Sequence, residues 1–292
     1  MAILTIDIGG TAVKYAVYED DELHRKSSFK TPETWEQMTA QLLSLKEEFS
    51  KDFPLQGVAI SSPGAVDSEN GIVKGLSAVP YIHHFKILEA LESLFGLPVS
   101  IENDANCAAL AELTFGVAKD VKDALFFIIG SGVGGAVVLD RQLRKGPDLF
   151  AGEFGLMRLT SKNTLSETVS PVQVAKRYAQ KHGLGESFSG KDLFDLAEQG
   201  DVSANAVVNQ FYDDLARGIF NTLVVLNPEL VAIGGAVSAG KNLREALIQR
   251  IQQIQKETGT SDLSFELEIC HFRSDANLLG AVSKFMSTFP NL

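Results

Sequence analysis

The sequence predicts an α/β protein built in two lobes. Short apolar runs that end at glycine or polar residues alternate with stretches of helical spacing. One hairpin pattern with a glycine-lined turn occurs twice. The 292 residues exceed what a single hydrophobic core usually organises. In chain order, the expected strands are Ile3–Ile8, Gly57–Ile60, Val99–Ile101, Leu125–Ile129 and Leu230–Ile233. Between them, Trp35, Met38, Leu42 and Leu45 share one helical face, and Ile87, Leu88, Leu91 and Leu94 another, closed by Gly96 and Pro98. An alanine-rich helix is expected over Asn103–Thr114 and a long one over Ala204–Leu226, stopped by Asn227-Pro228. The tail Asp275–Met286 is helical in spacing and is expected to pack back on the N-terminal lobe.

Composition narrows the function. A net charge of −11 argues against nonspecific binding to nucleic acid, which needs basic patches. No apolar stretch is long enough for a bilayer, and no basic leader precedes Asp7. The two cysteines, Cys107 and Cys270, are too few for a four-cysteine zinc site and are expected as reduced thiols. A cytoplasmic protein without membrane or nucleic-acid partners is the expectation.

The glycine turns carry the first chemistry. Asp7-Ile8-Gly9-Gly10-Thr11 sets an acid beside a turn whose backbone N–H groups can approach phosphate oxygens, with the Thr11 hydroxyl as a further donor. Asp7 suits Mg²⁺, held through water. The same residues also suit a plain tight hairpin. Gly130-Ser131-Gly132-Val133-Gly134-Gly135 formally matches the dinucleotide fingerprint, but that motif requires a helix after the glycines. Ala136–Leu139 is a β-type run instead, so the hairpin is favoured and a dehydrogenase becomes a distant alternative. Gly234-Gly235 forms a third turn after an apolar strand, suited equally to a nucleoside and to a simple strand-to-helix connection.

Carboxylates supply the second part. Asp104, in Glu102-Asn103-Asp104, lies where a strand gives way to a helix N-terminus, whose dipole favours an ionised acid able to accept a hydroxyl proton. Taken alone, helix capping accounts for this acid better. Glu153, in Ala151-Gly152-Glu153-Phe154-Gly155, and Glu167, in Ser166-Glu167-Thr168, are candidate acceptors for sugar hydroxyls, with a solvated loop acid and a helix-capping acid as the plainer alternatives.

Together these segments resemble the ROK family (repressors, open reading frames, kinases) of the actin-like ATPase and hexokinase superfamily. The matching pieces are Asp7–Thr11, Ser62-Pro63-Gly64, Gly96-Leu97-Pro98 with Glu102–Asn106, Gly130–Gly135, Gly152–Gly155, and Asn227-Pro228-Glu229 with Gly234-Gly235. They span nearly the whole chain in the family's order. The resemblance implies an α/β, two-lobed actin-like ATPase (ribonuclease H-like) fold with a cleft between the lobes. The expected lobes are 1–106 plus about 276–292, and 107–275. It implies ATP and Mg²⁺ as cosubstrate and ion, and transfer of a phosphoryl group to a hydroxyl of a hexose, the primary 6-OH. Asp104 would be the catalytic base. Gly64, Asn103, Asp104, Glu153 and Glu167 would bind sugar. Gly9, Gly10, Thr11, Gly132, Val133, Gly134, Gly135, Gly234 and Gly235 would bind ATP. A homodimer is also implied.

One departure matters. Many family members carry a His after the Gly-Glu-x-Gly segment and then a cysteine cluster for structural zinc. Here Leu156 stands at that position and Met157–Ser166 has no cysteine, so no zinc is expected. Substrate preference inferred from glucokinases is weakened accordingly, with mannose, N-acetylmannosamine, fructose and β-glucosides as other acceptors beside glucose. The early Asp7 leaves no room for the repressor branch's DNA-binding domain, which favours an enzyme. A catalytically silent sugar sensor of the same fold is the alternative.

Overall fold

A computed structural model describes residues 1–240 and 242–292. The chain divides into two compact units, one of residues Met1–Lys119, Gly146–Phe150 and Ser274–Leu292, the other of Asp120–Lys145 and Ala151–Arg273.

The first unit is a five-stranded sheet with helices. Its elements are β1 (Ala2–Ile8), β2 (Ala12–Glu19), β3 (Glu22–Lys30), α1 (Trp35–Phe49), β4 (Leu55–Ser62), the small hairpin β5 (Ala65–Asp67) and β6 (Ile72–Lys74), α2 (Ile87–Phe95), β7 (Val99–Asn103) and α3 (Asp104–Phe115). The sheet order is β3-β2-β1-β4-β7. β1, β4 and β7 run parallel, while β1–β2 and β2–β3 are antiparallel. β1 is buried along its whole length, which explains its apolar character on both faces. Asp20 and Asp21 turn β2 into β3 with φ of 52° and 63°, the paired positive angles of a hairpin turn that suits the right-handed twist of its strands. α1 starts at Thr34, whose side chain accepts from the Gln37 amide, and buries Met38, Leu42, Leu45 and Phe49. α2 ends at Gly96, left-handed at φ 60°.

The second unit repeats that plan. β8 (Ala124–Ile129), β9 (Val133–Leu139) and β10 (Gln142–Leu143) lead to α4 (Leu165–Val169), α5 (Pro171–His182), α6 (Gly190–Glu198), α7 (Val202–Leu226), β11 (Leu230–Gly234), α8 (Leu243–Thr258) and β12 (Glu266–Ile269). The sheet order is β10-β9-β8-β11-β12, again with an antiparallel run of three strands followed by parallel neighbours. Asp140 and Arg141 turn β9 into β10 at φ 51° and 62°, matching Asp20 and Asp21. α7 buries Phe211, Leu215, Ile219 and Leu223, spaced by one turn, and stops at left-handed Asn227.

The chain closes with α9 (Ala276–Thr288), which belongs to the first unit. Its Ala281, Val282 and Phe285 share a buried cluster with Ile3, Ala59 and Cys107. The unit boundary differs from the 106/107 division expected from the sequence. The first unit runs to Lys119, because α3 packs as a whole on α9. At Gly280 the two helices approach so closely that a Cβ would lie 1.7 Å from the Cys107 carbonyl oxygen.

Candidate active site

The first glycine turn lies where β1 ends. The Gly9 amide donates to Ala12 O at 3.1 Å, the Thr31 amide to Thr11 O at 3.1 Å, and the Thr31 hydroxyl to Gly9 O at 2.6 Å. The amides of Gly10 and Thr11 have no protein acceptor among the described residues, and both residues are exposed. The turn is therefore held by three hydrogen bonds and presents the Gly10 and Thr11 amides without a protein acceptor. Gly10 also has a packing reason, since a Cβ there would meet the Ala78 Cβ at 2.5 Å.

Asp7 sits at the root of this turn, only 6% exposed. Its Oδ1 accepts from Ser61 Oγ at 2.8 Å and from Asn277 Nδ2 at 3.0 Å, while Oδ2 lies 4.0 Å from Lys14 Nζ. Neither Ser61, at the end of β4, nor Asn277, on α9, stands out in the sequence. Asn277 lies too far along the chain for any local pattern to connect it with Asp7.

The strand-to-helix junction of β7 and α3 holds Asn103 and Asp104. The cap is Asn103, not Asp104: its Oδ1 accepts from the Asn106 amide at 3.1 Å. Asn103 Nδ2 donates to Gly64 O and to Asp104 Oδ1, both at 2.9 Å, and the Ala105 amide donates to the same Asp104 oxygen at 2.8 Å. Gly64, Asn103 and Asp104 are thus brought together. Beneath them is Glu102, 1% exposed. Its Oε1 accepts from the Asn103 amide and from Asn106 Nδ2, and its Oε2 from Ser68 Oγ, with Lys284 Nζ at 3.9 Å. Gly64 requires glycine, with φ 93° and the His83 ring 2.8 Å from where a Cβ would stand. His83 Nε2 lies 2.7 Å from Ser77 Oγ, and burial, the larger effect, pushes its imidazole below the ordinary range.

In the second unit, the turn Gly130–Gly132 links β8 to β9. Gly134 and Gly135 lie within β9, opposite Ile128 and Phe127. Gly135 is needed for packing: a Cβ would come 2.5 Å from Phe154 and 2.6 Å from Phe126 O. The Val133 amide donates to Ser166 Oγ at 3.0 Å, so that donor is not available to a phosphate. Ser170, fully buried, places its hydroxyl 3.0 Å from Gly130 O and 2.8 Å from Ser131 O. Gly155 presses on the same turn, since its Cβ would stand 2.2 Å from Val133 O. Glu153, just ahead of it, is solvent-accessible, yet the surrounding protein removes enough water to raise its carboxyl above the usual range. Glu167 belongs to α4, where it closes a capping box with Thr164. Its Oε2 accepts from the Thr164 amide at 2.7 Å and from the Thr164 hydroxyl at 3.0 Å, and those bonds hold its pKa low. Leu156 is 56% exposed. Gly234 ends β11, and Gly235, at φ 82°, would set a Cβ 2.4 Å from Ile129 O. The third glycine turn therefore lies against the strand end that leads into the second.

Among the described residues, no cluster of three or more His, Cys, Asp or Glu side chains can hold a metal ion. Asp7 alone, with one oxygen already taken by two donors, suits an ion carried chiefly by phosphates and water, the mode Mg²⁺ prefers. The residues present fit Mg²⁺ on those terms.

Two sheets of one strand order, each with a glycine-lined hairpin turn, define an α/β protein of the two-lobed actin-like ATPase fold. The chain belongs to the ROK family, whose model matches residues 3–287. It is 31% identical to a β-glucoside kinase of Listeria monocytogenes, with 98% of each chain covered. It is 32% identical to a β-glucoside kinase of Klebsiella pneumoniae, over 98% of this chain and 96% of the relative. A solved ROK family protein from Streptococcus pneumoniae in complex with sucrose superposes with a TM-score of 0.91, at 31% identity and full coverage of both chains.

Proposed function

We propose that the protein is an ATP-dependent sugar kinase that phosphorylates the 6-hydroxyl of a hexose or hexose derivative, with β-glucosides as the leading acceptors. The observation that carries this reading is the Gly64–Asn103–Asp104 constellation. One amide group, Asn103 Nδ2, ties the acid to the Gly64 carbonyl at a helix N-terminus, so the carboxylate has a defined direction. The names of the relatives support the substrate class.

In this reading, Asp104 orients the attacking hydroxyl and accepts its proton late. Phosphoryl transfer relies on positioning and charge neutralisation more than on a strong base, so an ordinary carboxylate suffices. Within the first unit, Asn103 and Gly64 hold sugar hydroxyls; within the second, Glu153 and Glu167 are the candidate acceptors for such hydroxyls. The outward amides of Gly10 and Thr11 bind phosphate oxygens; in the second unit the Ser131 and Gly132 amides serve as such donors, the Gly130 amide being spent on Gly132 O at 2.8 Å, and Gly234 and Gly235 lie beside the nucleoside. Mg²⁺, when bound, neutralises charge on the transferring phosphoryl group. Asp7 holds the ion's water shell, and Ser61 and Asn277 keep that carboxylate turned to its task. Both cysteines are buried thiols.

The test is ADP release with Mg-ATP against glucose, fructose, N-acetylmannosamine, cellobiose and aryl β-glucosides. Turnover should be greatest with a β-glucoside, and Asp104→Asn should lower kcat by about 10²–10⁴-fold while sugar still binds. Near-normal kcat in the variant would remove Asp104 from its role. Sugar binding without turnover in the wild type would favour the sensor.

A further inference from the structure

Resting on the kinase reading, we propose that Ser166 is a positioning residue for the nucleotide's phosphates. Its hydroxyl oxygen accepts from the Val133 amide at 3.0 Å, and the position a Gly132 Cβ would take is 3.1 Å from that same oxygen. Val133 is thus held on both sides: its amide by Ser166, and its carbonyl by close packing of Gly155. Ser170, one turn further along the chain, fixes the Gly130 and Ser131 carbonyls. The Gly130 amide donates to Gly132 O at 2.8 Å, so with the three turn carbonyls and the Gly130 and Val133 amides engaged, the Ser131 and Gly132 amides are the ones left to offer outward. That arrangement is the preorganised donor array an anionic phosphate chain needs, and it costs no rearrangement on binding.

Ser166 also has a particular location. Its neighbour Glu167 and the nearby Glu153-Phe154-Gly155 segment are the second unit's proposed sugar ligands, and a Gly155 Cβ would lie 3.2 Å from Ser166 Cβ. Glu167 is held by Thr164 and not by Ser166. Removing the hydroxyl therefore loosens the phosphate turn while leaving Glu167's own support intact.

The experiment compares Ser166→Ala and Ser166→Thr with wild type, by steady-state kinetics and by calorimetry with a non-hydrolysable ATP analogue. Losing one hydrogen bond that positions the turn should raise KM for ATP, and the analogue's Kd, by about tenfold. KM for sugar and the melting temperature should stay near wild type, and Ser166→Thr, which keeps the hydroxyl, should restore nucleotide affinity. Unchanged nucleotide affinity in Ser166→Ala, or equal losses for ATP and sugar, overturns the proposal while the kinase reading stands. A wild-type protein that binds no nucleotide sinks both.

Discussion

Glu153 and Glu167 show how two acids of one unit acquire opposite character. Glu167 accepts two hydrogen bonds from Thr164 and stays readily ionised, whereas Glu153 is desolvated without a charge partner strong enough to compensate. A carboxyl with a raised folded-state pKa contributes its full stability below the unfolded value and loses it as pH rises through the folded one. Glu153→Gln, permanently neutral, should therefore match wild type near pH 4 and be slightly more stable near pH 7.5, while sugar affinity falls. Urea unfolding at the two pH values checks this; a variant less stable at both would show that desolvation is not what governs Glu153. At this scale the sequence was legible wherever a residue type sits in a local pattern. Asp7, Asn103, Asp104 and the glycines stood out for that reason. Their supports did not. Ser61, Asn277, Glu102's engagement with Ser68 and Lys284, and Ser166's grip on Val133 are long-range contacts made by common residue types.

Among elements, the expected strands and helices formed, because each carried its own periodicity and stop signal. Gly96 and Asn227 both adopt the left-handed conformation that ends a helix. The helices α6 and α8 escaped the sequence reading, as did the strands defined by pairing alone. β3 is largely exposed, and β10 is two residues long, so neither carries a buried stripe to announce it. The contact of α3 with α9 was equally hidden, although its basis is one glycine. Gly280→Ala would drive a methyl into the Cys107 carbonyl and force the helices apart. A loss of about 3 kcal/mol is expected, at the upper end for overpacking, measured by urea unfolding. A cost below about 0.5 kcal/mol would mean that the helices slide without penalty.

For the whole molecule, the two sheets share one order and one hairpin chemistry, down to the paired positive-φ residues Asp20-Asp21 and Asp140-Arg141. The faint internal likeness of Leu4–Tyr18 and Leu125–Leu139 is the only trace of this in the sequence, because strand order depends on parallel neighbours contributed far apart in the chain. The same architecture makes the first unit discontinuous. A chain ending after Arg273 would lack the cover over Ile3, Ala59 and Cys107, and Asp7 would lose Asn277. Such a truncation should abolish turnover and the first unit's cooperative melt in calorimetry; an unchanged melting profile would contradict the role of α9.

The order of synthesis then runs against the order of completion. A ribosome releases β1 and its neighbours long before the helix that covers them, which follows every strand of the second sheet. Until α9 emerges, the early sheet carries an unprotected apolar face, so the nascent chain is vulnerable to misassociation on a unit whose strands were made well before their cover.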